Sequence, residues 1–150
     1  KQKVNIVENS GYGGIARASV TMWKEKPIFG FGLKSFRVKC WELLTKYENL
    51  SCATHPHNYY LELMAESGIV GLFIIIIFFL TLLWKSLIKL IKKNFNSKNE
   101  IYFFIPVLII VFLEIWPIRT SGSFFTTWNA TILWLNVGIL FSLNRNKLSK

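Results

Sequence analysis

Both histidines of the chain lie in one short stretch, His55-Pro56-His57-Asn58, which holds its clearest potential for chemistry. An imidazole titrates near neutral pH, so His57 is suited to accept a proton from a sugar hydroxyl under ordinary conditions. On spacing alone, a lone histidine of this kind is more often a hydrogen-bonded structural residue, and both interpretations stay open. Two histidines in a chain without any Asp fall short of a zinc site. We therefore predict no metal and no cofactor.

The residues around His57 predict that it stands at the N-terminus of a helix. Pro56 disfavours helical backbone at His55, and Asn58 is a good N-cap residue. Free amides and the helix dipole at such a terminus favour an anion, for example the phosphate of a lipid-linked substrate. We accordingly take Asn58 and His55 as candidate substrate-binding residues.

Two glutamates and two glycines continue the same predicted helix. Glu62 and Glu66 are one turn apart and share a face, where Glu66 either orients a histidine and contacts substrate or simply faces water. Gly68 and Gly71 predict a small face at which another helix packs closely.

Two further charged residues stand in unusual surroundings. Arg17 lies among small residues, and its planar guanidinium suits a phosphate bidentately, so it is able to neutralise a departing pyrophosphate in place of a metal ion. The alternative is an exposed arginine on a helix face. Glu114 interrupts an apolar run, which makes a transport role a hypothesis. It is also close enough to Trp116 to reach a membrane interface, with Arg119 as a candidate partner.

Long uncharged runs and a hydrophobic content of 52% place these residues on a membrane protein. Residues 67–84 are apolar over about 27 Å of helix, close to the ~30 Å thickness of the hydrocarbon core. Residues 101–118 and 124–143 form two further apolar runs. We therefore predict an all-α fold, a polytopic bundle of three transmembrane helices that follows an extracytoplasmic helical segment, residues 1–66.

The segment 1–66 is mixed in character and too polar to span a bilayer. Its predicted elements, in chain order, are a loop marked by Gly11, Gly13 and Gly14, a helix over Ile15–Lys26, a turn over residues 27–32 and an amphipathic helix over Lys34–Tyr47. Cys40 and Cys52 also lie in this segment, where they form either a disulfide or two free thiols.

The formal charge of +10 comes from lysines and arginines, and many of the lysines flank the apolar runs, which anionic lipid and the positive-inside rule explain without a nucleic-acid partner. The short basic loop 85–100 and the basic C-terminal tail are predicted to face the cytoplasm, and segment 1–66 the periplasm or exterior. The sequence has no initiator methionine and no signal peptide, so we expect it to be the C-terminal part of a longer protein.

Two motifs together resemble the O-antigen ligase and O-antigen polymerase superfamily of bacterial envelope glycosyltransferases, over about residues 14–83. The first, similar to the large-loop segment of that family, is Arg17-x5-Trp23-x3-Pro27-x2-Gly30-x-Gly32-x3-Phe36. The second, similar to its catalytic histidine motif and the more specific of the two, is His57-Asn58-(x9)-Gly68-x-x-Gly71.

This resemblance implies a multispanning, metal-independent GT-C-like enzyme of the bacterial inner membrane that acts at the periplasmic face. The implied donor is a glycan on undecaprenyl pyrophosphate, and the acceptor is a lipid or another glycan. His57 is then expected to activate an acceptor hydroxyl and Arg17 to hold the departing pyrophosphate, with inversion at the anomeric carbon. The family's second essential arginine lies in an earlier periplasmic loop, so the 150 residues alone are expected to be inactive.

Other functions stay open beside this one, and the sequence does not separate a ligase from a polymerase. In a non-catalytic membrane protein, segment 1–66 only binds an envelope ligand or partner, and the His57 motif is structural. In a transporter subunit, function depends on Glu114 instead.

Overall fold

The computed structural model describes residues 11–95, 97–125 and 128–145, and over these ranges the chain is helical without β-strands. The helices of this described part are α1 (Gly11–Glu25), α2 (Phe36–Leu44), α3 (Tyr59–Ile91), α4 (Lys98–Glu114) and α5 (Trp128–Asn144). The all-α prediction is confirmed there. Parts of the predicted elements lie outside the described residues: 1–10 of the extracytoplasmic segment, Asn96 of the cytoplasmic loop, Thr126 and Thr127 of the third span, and 146–150 of the tail.

α1 begins at Gly11, earlier than predicted, and the three glycines assigned to a loop are helical. Gly14 faces the segment that follows α2 so closely that an added β-carbon would lie 2.3 Å from Oγ of Ser51. Glycine has no side chain to separate the helix from this neighbour. The loop prediction is therefore wrong, and Gly14 serves close packing.

α2 is shorter than predicted at both ends. It begins later because Lys34 has a φ of +61°, a left-handed conformation that does not continue a helix. Cys40 on this helix is bonded to Cys52 in the loop that follows. Of the two alternatives for these cysteines, the structure has the disulfide. The bond holds the loop before His57 against α2.

α3 extends over 33 residues, about 50 Å at ~1.5 Å per residue. Its predicted start is confirmed, since Oδ1 of Asn58 accepts hydrogen bonds from the amides of Tyr60 (3.0 Å) and Leu61 (3.2 Å), as an N-cap does. Within the described residues, α3 alone is long and apolar enough to cross a membrane by length and composition. α4 and α5, of 17 residues each, correspond to the other two predicted spans, and their crossing stays a prediction.

A break divides α3 at Gly68, whose φ of +66° is not helical. The turn between α1 and α2 supplies carbonyls at this point in place of helical ones. The amide of Ile69 donates to the carbonyl of Pro27 at 2.9 Å, and that of Val70 donates to Ile28 at 3.3 Å. Amides that begin the second half of α3 are thereby satisfied.

The same turn also donates to the last carbonyls of the first half of α3. The bonds run from the amide of Phe31 to the carbonyl of Ala65 (3.3 Å) and from that of Gly32 to Glu66 (2.8 Å). Gly68 was predicted to lie on a small face for another helix. In the structure its close neighbour is this turn, because only glycines let two backbones approach so closely.

Two apolar clusters hold the helices together. The smaller joins α1, α2 and the start of α3 through Ile15, Ala18, Met22, Phe36, Cys40, Leu43 and Ala65. The larger joins α3, α4 and α5, and includes Tyr59, Leu63, Phe79, Leu82, Phe104, Val107, Val111, Leu133, Val137 and Leu140. The first half of α3 belongs to both, so it links the small helical unit to the long apolar helices.

The end of α4 carries Glu114, whose Oε1 lies 2.7 Å from Nη1 of Arg119. The predicted pairing of these two residues is confirmed. The ion pair gives Glu114 a structural partner beside the loop that leads to α5.

Candidate active site

His57 lies immediately before the N-cap of α3, in a left-handed backbone conformation with a φ of +58°. This conformation costs a residue with a side chain on the order of 1 kcal/mol. The segment between α4 and α5 holds it in place, since the amide of Ser121 donates to the carbonyl of His57 at 2.8 Å. Strained residues that their surroundings hold fast are concentrated at functional sites.

Asn58 anchors the same place from the next position. While Oδ1 caps α3, Nδ2 donates to the carbonyls of Pro117 (2.7 Å) and Arg119 (3.4 Å). Both ends of the amide are thus engaged within the chain. The geometry favours a role in positioning His57 over the predicted contact with substrate.

The imidazole of His55 lies against that of His57, with 4.2 Å between the ring centroids. Its Nδ1 is 3.0 Å from Oγ1 of Thr54, whereas its buried Nε2 has no hydrogen bond of good geometry in the described part of the chain. Burial lowers the pKa of His55 and the neighbouring His57 lowers it further, while the backbone of Ser121 acts in the opposite direction. His55 therefore stays neutral more readily than a free histidine does.

α1 carries Tyr12, which contacts His57, and Arg17, which contacts a different segment. Tyr12, near its start, meets His57 edge-on with 5.8 Å between the ring centroids. Arg17, half-buried on the same helix, donates from Nε to the carbonyl of Asn49 at 2.9 Å. The two residues predicted to be catalytic, Arg17 and His57, are therefore positioned by different neighbours on packed elements.

Glu66 is only 2% exposed, so it does not face water. Its carboxylate accepts hydrogen bonds from the amides of Lys34 (2.6 Å) and Phe36 (3.0 Å). The amide of Lys34 lies just before α2, and that of Phe36 is the first of the helix. The N-cap Ser35 makes no side-chain capping bond of its own. Glu66 thus fixes the turn before α2 rather than a histidine, and its contact with substrate stays a prediction.

Glu62, one turn earlier on α3, acts on another segment in the same way. Its carboxylate accepts hydrogen bonds from Oγ of Ser123 and the amide of Phe124, both at 2.6 Å. The prediction that the two glutamates share a face is confirmed, since both reach one cavity. Together they tie α2 and the loop before α5 to the first half of α3.

A cavity of about 350 Å³ opens beside His55. Its lining is polar and consists of Lys34, Arg37, Thr54, His55, Glu62, Glu66 and Ser123. It contains two of the residues predicted to bind substrate, His55 and Glu66. Sequence reasoning missed Lys34 and Arg37, although they follow the glycine turn directly, and Ser123, which no motif marks.

The remaining motif glycines have different roles. Gly30 and Gly32 have φ values of +66° and +101°, which glycine adopts without strain. A β-carbon added at Gly71 would meet the side chain of Ser67 on its own helix. Within the described residues, therefore, no second helix packs on Gly71 closely enough to explain the glycine.

Among the described residues, no three side chains of the metal-binding types come together. Residues 8–76 of the chain match the family model described as O-antigen ligase. No curated protein and no solved structure matches the chain. The matched range contains both motifs, and with the apolar helix α3 it indicates a membrane protein. The match supports the resemblance: residues 8–76 of the chain are similar to the O-antigen ligase family.

Proposed function

We propose that this chain forms the catalytic C-terminal part of a membrane glycosyltransferase that transfers or polymerises a glycan carried on undecaprenyl pyrophosphate. The observation that carries the proposal is the placement of His57. The histidine of a family motif is held in a strained conformation at the start of α3, where a second imidazole and the α4–α5 loop fix it. The similarity of residues 8–76 to the O-antigen ligase family supports glycosyl transfer as the reaction.

In the proposed reaction, His57 accepts the proton of an acceptor hydroxyl while the hydroxyl oxygen attacks the anomeric carbon of the donor glycan. The bond from that carbon to the pyrophosphate oxygen breaks, and undecaprenyl pyrophosphate leaves with the bonding electrons. The guanidinium of Arg17 neutralises the charge of this leaving group, and no metal is required. Attack opposite the leaving group inverts the anomeric configuration, and His57 returns its proton to solvent.

A displacement with inversion needs the base and the partner of the leaving group on opposite sides of the sugar. Such an arrangement requires that the two residues be anchored separately, and they are. His57 is held by Tyr12 and Ser121, whereas Arg17 is held at Asn49. α1 carries both Tyr12 and Arg17, so one rigid helix spaces the two functional groups.

We further propose that the protein lies in the bacterial inner membrane and that this site faces the periplasm or exterior. The Cys40–Cys52 disulfide supports an exterior location, because such bonds persist outside the reducing cytoplasm. The apolar part of α3 begins close to the site, so a lipid-linked donor meets His57 at the membrane surface. Multiple crossings by α4 and α5 are part of the same proposal.

Glycan display by intact cells tests the proposal, with the full-length protein that contains this chain, and its variants, expressed in a strain that lacks the chromosomal gene. We expect His57→Ala to lower the rate of transfer by about 10²–10⁴-fold, as loss of a general base does. Arg17→Ala is expected to abolish display as well. Lys24→Ala, an exposed change on the same helix as Arg17, is the matched control and should display normally.

Normal display from both His57→Ala and Arg17→Ala, at wild-type protein levels, would rule out the catalytic proposal and favour a non-catalytic role. The banding pattern of the glycan then separates the two reactions of the family. Loss of a polymerase leaves single repeats on the lipid core, whereas loss of a ligase leaves the core bare.

A further inference from the structure

The polar cavity beside His55 has no part in the reaction as described above. We propose that it binds one neutral sugar unit of the glycan through hydrogen bonds to the sugar hydroxyls. This inference rests on the proposed function, because it assigns part of the same substrate to a place beside the catalytic histidine. The cavity volume of about 350 Å³ is towards the lower end of ligand sites, roughly 300–1,000 Å³.

The buried side of the cavity supplies hydrogen-bond acceptors. Glu62 and Glu66 are 3% and 2% exposed, and each carboxylate oxygen already accepts one hydrogen bond from the chain. A carboxylate offers about four acceptor positions, so roughly two remain on each side chain. These positions suit the hydroxyl donors of a sugar.

The open side supplies hydrogen-bond donors. Lys34 and Arg37 are exposed side chains that line the cavity and carry several N–H groups each. Lys34 is held in its left-handed conformation by the bond from its amide to Glu66, so donor and acceptor sides are built together. A hydroxyl both donates and accepts, so a sugar ring between the two sides satisfies both.

The charges of the lining favour a neutral ligand over an anion. Two positive side chains, Lys34 and Arg37, are balanced by two negative ones, Glu62 and Glu66, so the formal charge is zero with His55 neutral. An anionic sugar would have to approach two buried carboxylates, which is unfavourable in a partly desolvated site. The anionic part of the substrate is assigned instead to Arg17, which does not line this cavity.

The cavity is also one imidazole away from the proposed base. His55 forms part of its wall, and the ring of His55 is 4.2 Å from that of His57. A sugar unit bound in the cavity therefore places the next unit of a glycan beside His57. Lys34 and Arg37 become specificity-determining residues in this arrangement.

Saturation-transfer NMR on the intact protein in lipid nanodiscs tests the assignment, with galactose and glucose as neutral probes and galacturonate as the anionic probe. We expect saturation of the neutral sugars. Lys34→Gln and Arg37→Gln should each weaken their binding by about tenfold, since each removes a hydrogen bond from a charged group. Lys46→Gln changes an exposed lysine outside the cavity and should leave binding unchanged.

No saturation of the neutral sugars, a stronger response to galacturonate, or unchanged binding in both cavity variants would overturn the assignment. His57→Ala separates this inference from the proposed function. Sugar binding that persists in His57→Ala while glycan transfer is lost supports both. Transfer that is lost without any sugar binding overturns the cavity assignment alone, and transfer that persists overturns the proposed reaction.

Discussion

Gly30 and Gly68 lie back to back, and each has a φ of +66°. A β-carbon added at Gly30 would lie 2.4 Å from the carbonyl of Glu66, and one added at Gly68 would lie 2.3 Å from that of Ile28. This contact fixes the break in α3 against the turn that precedes α2. The contact joins the turn in the Arg17 motif to the helix in the His57 motif, and it consists of backbone atoms only.

Alanine at either glycine is expected to destabilise the protein strongly. In Gly30→Ala and Gly68→Ala, left-handed strain of about 1–2 kcal/mol is added to overpacking of about 1–3 kcal/mol, because the β-carbon meets backbone that has no freedom to move aside. The expected loss in the free energy of unfolding is therefore about 2–5 kcal/mol. Thermal unfolding of the detergent-purified variants measures it.

Alanine variants at two other glycines distinguish the cost of backbone strain from the cost of the close contact. Gly32 has a φ of +101°, and no described residue lies within 4 Å of a β-carbon added there. Gly32→Ala should therefore lower the stability only by the backbone strain, about 1–2 kcal/mol. With respect to the described residues, Gly11→Ala has neither effect and should not lower the stability. Equal losses at Gly30 and Gly32 would contradict a role for the close contact.

The different partners of Glu62 and Glu66 predict that replacing each of them by glutamine changes the free energy of unfolding by different amounts. Both partners of Glu66 are backbone amides, which only donate, so the NH₂ of a glutamine must face an N–H group. Glu66→Gln should cost about 1–3 kcal/mol for the buried donor left unsatisfied. Glu62→Gln should cost less than about 1 kcal/mol, because the hydroxyl of Ser123 is able to accept as well as donate.

Urea unfolding of the two glutamine variants under the same conditions checks this difference. Comparable losses would show that the carboxylate charge matters more than the pattern of donors. Ser123→Ala combined with Glu62→Gln removes the adaptable partner. The double variant should therefore fall to about the stability of Glu66→Gln.

Local features of this chain were predictable because their causes are local. Pro56 and Asn58 set the start of α3 through backbone sterics and capping, and Glu114 finds Arg119 only a few residues away. The shared face of Glu62 and Glu66 follows from helical periodicity alone. The hydrogen-bond partners of those carboxylates could not be predicted, because most of them are backbone amides, which every residue type except proline has.

Contacts between distant parts of the chain could not be predicted, for a related reason. Gly68 indicates a position with special backbone requirements, but it packs on a turn that lies far earlier in the chain. Neither motif predicts that it contacts the other. Gly14 was assigned to a loop because glycine disfavours helices, whereas tight packing on Ser51 overrides that preference. The cavity beside His55 likewise collects residues from α2, α3 and three loops, which only the fold brings together.

The disulfide predicts a redox-dependent stability. Cys40 and Cys52 are 12 positions apart, so reducing the bond should lower the free energy of unfolding by about 2–3 kcal/mol through the entropy of the unfolded loop. Thermal unfolding with and without a reductant measures the change. A Cys40→Ser/Cys52→Ser double variant is the control, since its Tm should not respond to the reductant. A wild-type Tm that also fails to respond would argue against a structural bond.

His55 predicts how stability depends on pH. Burial first, and the charge of His57 second, lower its pKa in the folded protein below the ordinary value of 6.5. Between the folded pKa and 6.5 the unfolded chain therefore binds more protons than the folded one, and stability rises with pH in that window. The loss of stability caused by His55 is absent above pH 6.5. It grows as the pH falls below 6.5 and reaches its full size below the pKa of His55 in the folded protein.

His55→Gln should accordingly flatten the fall in Tm between about pH 7.5 and about pH 5.5, because glutamine does not titrate in this range. His57→Gln removes only the second cause of the lowered pKa, so most of the fall should survive in that variant. The cavity-lining Lys34, Arg37, Glu62 and Glu66 are unchanged in both, which makes the pair a matched comparison. A fall in Tm as steep in His55→Gln as in the wild type would assign the pH dependence to those charged groups instead.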